Sequence, residues 1–418
     1  MLNLVSRHRV FAAYCASLLW LVAASLWFAE LTGKGLGHAP VVAAIILGTI
    51  LAYVLFWKAL SISVPRLTDW PSETHVAPPA LSRTKSWVLL GLSMLFAGVF
   101  VAHMIMLGDI PILSAMRSSD DYSISIIRQE AYFGLPLWLR YMSDYSFKAL
   151  GPALLVISYL YHKRIFWFVL AVGSLYCLAV FVRILPAIFL TPLLLLLLFQ
   201  RRWLHLTLTV ALLALLITVA TSASAPDIRN SFVPEAKPPI LTQTEKDLAS
   251  GYLAVKKPEN DWRTGSALYA IFERALFIPG QVIDQWFYFY SRPEAREHGC
   301  GYRILARFMK CEYVPVPTKL YEAFYQENTQ RGMRGSLNAA SFMSDYANFG
   351  PIGIVVSSFL TGLLFCVIAI IYRDHPLALP LNIPLIMVSM ETSIVTALNS
   401  GAGWLAMTAL FLYFFRTR

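Results

Sequence analysis

Apolar runs of about twenty residues recur along this chain, and that length matches the hydrocarbon thickness of a bilayer. A backbone crossing lipid must satisfy its own N–H and C=O groups, so such runs fold as helices or not at all. Charged residues make up only 14% of the 418 residues and hydrophobic ones 57%, whereas soluble domains carry roughly 25% charge. The runs predict spans near Phe11–Leu31, Pro40–Leu60, Trp87–Leu107, Pro136–Tyr161, Leu204–Thr221, Pro351–Tyr372, Leu377–Ala397 and Gly403–Phe415. Ile165–Gln200 has room for a hairpin of two more. The expected fold is therefore an all-α polytopic membrane protein of about ten transmembrane helices. It divides into an N-terminal bundle over 1–221 with an outer segment at 108–135, a large polar loop over 222–349, and C-terminal spans over 350–418.

The net charge of +10 is distributed as short basic clusters between the apolar runs. That is the signature of topology rather than of nucleic-acid binding. Arg7 and Arg9, Arg83 and Lys85, Lys163 and Arg164, Arg201 and Arg202, Arg373 and the terminal Arg416 and Arg418 all fall on one side of the ten-span layout. The other side holds Lys34, Arg117, Arg128 and Arg183 in its short turns. The positive-inside bias then makes both termini cytoplasmic and places the long loop outside, which in a bacterium is the periplasm. No small-residue cleavage site follows the first run, so the N-terminus reads as a cytoplasmic start. Cys300 and Cys311 lie in the loop, where an oxidising compartment allows a disulfide; two free thiols are the alternative.

Charge inside or beside a span is costly and marks function or pairing. Arg183, in FVRILPAIFL, lies between two apolar runs on the side where arginine is disfavoured. It reads as a hydrogen-bond donor to phosphate oxygens or as a snorkelling side chain. Arg140, Asp144 and Lys148 share one helix face at i, i+4, i+8, as a salt-bridge ladder or a cavity lining. Asp120 and Asp121 are two carboxylates without further ligands, so no metal site is expected. In the long loop, ALYAIFERALFIPGQVIDQWFYFY suggests an amphipathic helix on the membrane surface. Its Trp286, Tyr288 and Tyr290 either stack on sugars or anchor at the interface. In QRGMRGSLNAASFMSDYANFGPIG, Gly332 and Gly335 permit close backbone approach, and Arg331 and Arg334 suit a phosphate clamp. Asp345 and Tyr346 follow just before a span.

GDIPILSAMR, the Arg183 hairpin, ERALFIPGQVIDQWFYFY and the loop exit SFMSDYANFGPIG together resemble the bacterial oligosaccharide repeat-unit polymerases, the Wzy or O-antigen polymerase group. The resemblance implies a GT-C-like fold in the inner membrane and a glycosyltransferase that uses no metal, cofactor or nucleotide sugar. Its donor and acceptor are oligosaccharides on undecaprenyl diphosphate, its product an O-antigen or related surface polysaccharide, and a chain-length regulator is a further partner. The leaving diphosphate then calls for cations. Arg183 and Arg334 lead that set, followed by Arg274, Arg128, Arg117, Arg140 and Arg331. Asp345 is the expected base, with His298 and Glu273 as substitutes; Tyr346, Asn338 and Trp286 are the expected sugar contacts. The related O-antigen ligases carry a His-Asn pair where this chain reads Ser336-Leu337-Asn338. A ligase, a lipid-linked oligosaccharide flippase and a polyprenyl-phosphate-sugar transferase are the alternative readings.

Overall fold

The computed structural model describes residues 2–63, 81–118, 121–182, 184–222, 249, 252, 273–330, 335–401 and 403–416. Among them, regular structure is helical throughout. In chain order the helices are α1 (Leu2–Thr32), α2 (Ala39–Ser63), α3 (Arg83–Leu107), α4 (Pro111–Arg117), α5 (Asp121–Phe133), α6 (Leu137–Tyr145), α7 (Gly151–Tyr161), α8 (Lys163–Val180), α9 (Ile184–Phe199) and α10 (Trp203–Ser222). The long loop contributes α11 (Ile278–Tyr290), α12 (Arg303–Met309), α13 (Val316–Phe324), α14 (Gln326–Gln330) and α15 (Ser341–Phe349). The chain ends with α16 (Pro351–Tyr372), α17 (Ala378–Ser389), α18 (Ile394–Thr396) and α19 (Trp404–Phe411).

Among the described residues seven helices are long and apolar enough to cross a membrane: Arg7–Thr32, Ala39–Ser63, Arg83–Leu107, Lys163–Val180, Trp203–Ala220, Pro351–Tyr372 and Ile394–Phe415. The other three of the ten expected spans are helical but fall short of that standard. α9 and α17 have 16 and 12 residues, about 24 and 18 Å at 1.5 Å per residue. α6 and α7 run on through a π-turn at Ser146–Leu150, with Arg140, Asp144 and Lys148 lowering the stretch's hydropathy. The π-turn has a local cause, because Pro152 lacks the N–H that would close the turn onto Lys148. The last span starts at Ile394 rather than Gly403. The polar stretch at Glu391–Ser393 breaks the helix, while the glycine-rich stretch after it continues as a π-turn at Ala397–Gly401.

Contacts group the chain into two units: Met1–Pro71 with Val233–Arg373 and Ser389–Ile394, and Ser72–Phe232 with Asp374–Val388 and Val395–Arg418. In the second unit α3, α6, α7, α8 and α9 pack around Phe147, whose ring is tilted against Phe96 and stacked on Tyr176. Fully buried His103 on α3 bonds the Ala131 carbonyl on α5 at 2.9 Å, and Ser143 on α6 at 3.0 Å.

In the first unit α1, α2 and α16 pack together, and the described loop helices α11 and α15 pack onto α1 and α16. Its Glu273–Tyr290 stretch does not lie along a membrane surface. It runs beside α1, starting with a π-turn at Glu273–Phe277. Pro279 cannot donate to the carbonyl of Ala275 four residues earlier. The Trp20 indole takes that carbonyl instead, at 2.8 Å. Trp20 lies twelve residues before the end of α1 at Thr32, about 18 Å down the helix. From mid-depth of a spanning helix the described stretch thus climbs to that helix's end, where Asp284 meets Lys34. Gly280 makes the approach possible: a Cβ there would fall 2.2 Å from the Ala24 carbonyl oxygen.

Gly280→Ala therefore has to push α11 off α1, with a destabilisation of about 1–3 kcal/mol. Gly91, whose Cβ direction is open, gains about 0.5–1 kcal/mol as alanine through helix propensity. Thermal unfolding of the purified variants in detergent checks this; equal responses would contradict the close approach.

Candidate functional site

The two ends of the loop's return path carry one carboxylate each, and their surroundings differ. Asp284, on the α11 face toward the α1–α2 turn, is buried. It accepts from Lys34 Nζ at 2.5 Å and lies 3.3 Å from His38 Nε2. Tyr252 lies buried beside it. The Lys34 ammonium also sits 4.7 Å above the Tyr252 ring, and His38 stacks on Phe287 at 4.6 Å. Burial pushes the Asp284 carboxyl up, but the hydrogen bonds from His38 and Lys34 outweigh it and leave it below the ordinary range. This carboxylate stays ionised and clasps the loop to the short turn.

Asp345 lies half-buried on α15, immediately before span α16. Asn348 builds its setting. From a fully buried position it accepts from the N–H groups of Gly299 and Gly301, at 3.1 and 2.9 Å, and donates to Ser344 O. That pins the 299–302 turn against α15 and aims Tyr302 at the carboxylate, which accepts its hydroxyl at 2.6 Å. Ser357, on α16, donates from the other side. Gly353 lets the two helices close, since a Cβ there would meet the Asp345 carbonyl oxygen at 2.1 Å. Burial raises the Asp345 carboxyl above its ordinary value, and the bonds from Ser357 and Tyr302 offset only part of that. The Tyr302 phenol is itself pushed up, by burial and by the adjacent charge. A carboxylate held by two hydroxyls is a proton acceptor in waiting.

Trp286 has no exposed surface; its indole donates to Leu337 O at 3.0 Å and leaves no face for a sugar in this conformation. Tyr290 is equally buried, donating to Glu297, which also takes Lys319 at 2.9 Å. Tyr288 packs beside Tyr252 at 5.1 Å between ring centroids. Tyr346 is buried against Phe287, and Asn338 and His298 are exposed. Cys300 and Cys311 are joined by a disulfide, with Cα atoms 6.0 Å apart. Arg331, Gly332 and Arg334 lie outside the described residues, as do the side chains of Glu273 and Arg274.

In the second unit Arg117 is exposed at the end of α4. Asp109 stands just before that helix, accepting from Ile110 N at 2.7 Å and from the Ser114 hydroxyl. Arg128 on α5 holds its guanidinium 5.5 Å from the Phe181 ring, the centre of a buried cluster with Ala115, Ile124 and Ala220. Arg183 itself lies outside the described residues. Arg140 is half-buried on α6, and Lys148 pairs with Asp144 at 2.6 Å. Among the described residues no three His, Cys, Asp or Glu side chains gather as a metal site. Sequence reasoning missed Tyr302, Lys34, His38 and Asp284. Tyr302 is 43 residues from Asp345 and carries no local signal. Asp284 was detectable in principle, as a carboxylate set directly before the aromatic run QWFYFY.

The fold defines an α-helical multi-pass membrane protein. No family model, curated protein or solved structure matches the chain.

Lys34→Met leaves Asp284 without its closest cation. Lys34 is 29% exposed, so the cost falls between a surface pair and a fully buried one, about 2 kcal/mol. The depressed Asp284 carboxyl stabilises the fold above its unfolded pKa. That stability fades as pH falls through the lower folded value, below about 4. The expected outcome is a lower unfolding temperature for Lys34→Met at neutral pH, and a smaller difference from the parent in strong acid.

Proposed function

We propose that this chain is a metal-independent glycosyltransferase that polymerises undecaprenyl-diphosphate-linked oligosaccharide repeat units at the periplasmic face of a bacterial inner membrane. The observation that carries the reading is Asp345, a carboxylate raised by burial and held by the hydroxyls of Tyr302 and Ser357 at the mouth of a span. A sugar hydroxyl needs such an acceptor, and little else from the protein on that side of the reaction. The multi-pass helical layout with a long loop folded back on its spans suits a lipid-linked substrate.

In the reaction, the acceptor's terminal hydroxyl oxygen forms a bond to the donor's anomeric carbon. The bond from that carbon to the diphosphate oxygen breaks, and undecaprenyl diphosphate leaves with its electron pair. The hydroxyl proton passes to Asp345. Charge growing on the diphosphate calls for guanidinium groups, which stay ionised and bind two oxygens at once. Arg183, Arg334, Arg274, Arg331, Arg128, Arg117 and Arg140 supply the candidates. Asn338 and Tyr346 border the α15 stretch that carries the base.

Asp345 acts only when ionised, so the acid limb of the pH–rate profile lies above the usual aspartate value of about 4. Tyr302 stabilises the charged form; Tyr302→Phe therefore moves that limb to higher pH while preserving turnover on the plateau. Asp345→Asn lowers turnover by about 10²–10⁴-fold. Elongation of purified lipid-linked repeats in detergent, read as a product ladder, measures all three. Full activity of Asp345→Asn would sink the assignment, and transfer to a lipid core without elongation would indicate a ligase.

A further inference from the structure

The turn closed by the Cys300–Cys311 disulfide has an unusual surface for a loop outside the membrane. α12 presents one buried residue, Ala306, to the protein. On a helical wheel Ile304 and Phe308, four apart, point the opposite way, and they are 61% and 82% exposed. Leu305 and Met309 flank them on one side and are also exposed. Arg303 and Arg307 flank them on the other, with Lys310 at the helix end; no acidic residue lies between the two cysteines. In water this would be a large apolar knob with nothing against it.

Its position explains it. Asn348 ties the base of the turn, at Gly299 and Gly301, to α15 just three residues before span α16 begins at Pro351. A Cβ on Gly299 would lie 3.7 Å from the Phe349 ring, and Phe349 is exposed at that same end. The α16 surface below it continues apolar and open, with Ile352 74% exposed and Val355 and Phe359 following one face. The knob therefore sits at the level where α16 leaves the bilayer, beside the lipid-facing side of that helix.

We propose that the α12 knob is a membrane-surface anchor. Phe308 and Ile304 insert among the acyl chains and headgroups of the leaflet where α16 begins. Arg303, Arg307 and Lys310 meet the phosphates of anionic lipid there, the arrangement that interfacial helices use. The disulfide and the Asn348 bonds keep the knob rigid, so the anchor also fixes the height of Tyr302, one residue before α12, and hence the Tyr302–Asp345 contact relative to the membrane.

The test uses the full chain in liposomes of phosphatidylethanolamine and phosphatidylglycerol. Cys15, Cys177 and Cys366 are changed to alanine, the Cys300–Cys311 bond is retained and checked by mass spectrometry, and a nitroxide is placed at Phe308→Cys. Power-saturation EPR compares collision with oxygen, which enriches in lipid, and with a water-soluble nickel chelate; a label at Ile352→Cys gives the lipid reference. A label at 308 that favours oxygen, as at 352, supports the anchor. One that favours nickel overturns it, as does spin–spin broadening that disappears on dilution with unlabelled protein, which would mean that a second copy covers the knob. If the added cysteine disturbs the disulfide, p-benzoylphenylalanine at 308 replaces it: a lipid adduct after irradiation supports the proposal, and a protein adduct or none overturns it.

Discussion

A carbonyl that proline leaves unpaired at the depth of a lipid bilayer has to find a donor, because no water is there to supply one. Ala275 is such a carbonyl, freed by Pro279, and Trp20 answers it from the middle of α1. Much of the loop's architecture follows from that bond. It holds the π-turn beside α1, which brings Gly280 onto the Ala24 backbone and Asp284 up to Lys34 and His38. From there Trp286 reaches Leu337 O, and Tyr290 reaches the Glu297–Lys319 pair. The stretch from Leu337 leads straight into α15 and Asp345. The aromatic run thus behaves as a core helix whose partners are a span on one side and the loop's own interior on the other.

Asp284 and Asp345 show how one side chain takes two roles by its neighbours alone. Both are withdrawn from water, which by itself disfavours the charged form. Asp284 has an ammonium and an imidazole against it, so its charge is held in place and its work is mechanical. Asp345 is met by the hydroxyls of Tyr302 and Ser357, which stabilise a carboxylate far less than a cation does. Its proton affinity rises accordingly. Asp144 resembles the first case, paired with Lys148 at 2.6 Å, and this favours the ladder reading of that helix face over a cavity lining.

Apolar run length was a sound guide to where helices lie, because lipid rewards burial of every residue in a run regardless of its partners. It was a weaker guide to where one helix ends. At the C-terminus Ala397–Gly401 continues as a π-turn and Gly403, left-handed, starts α19, while the span itself begins earlier, after the break at Glu391–Ser393. Amphipathic pattern misplaced Glu273–Tyr290, because a helix that packs on a span and a helix that floats on a surface share one periodicity. What separates them is Gly280 and the orphaned Ala275 carbonyl, and both have meaning only once Ala24 and Trp20 are known to be opposite. Trp286 went the same way: an aromatic side chain reads alike whether it stacks on a ligand or fills a core.

The amino-acid order alone settled the multi-pass helical class, the long loop between spans, and the placing of Cys300 and Cys311 within reach of one another in sequence. These follow from hydropathy and separation, which are properties of single segments. The closing of the disulfide, the packing of Glu273–Tyr290 along α1, and the meeting of Tyr302 with Asp345 belong to the packed molecule. They join positions from 11 to 255 residues apart, and no local pattern encodes a contact between residues that meet only after the chain has folded.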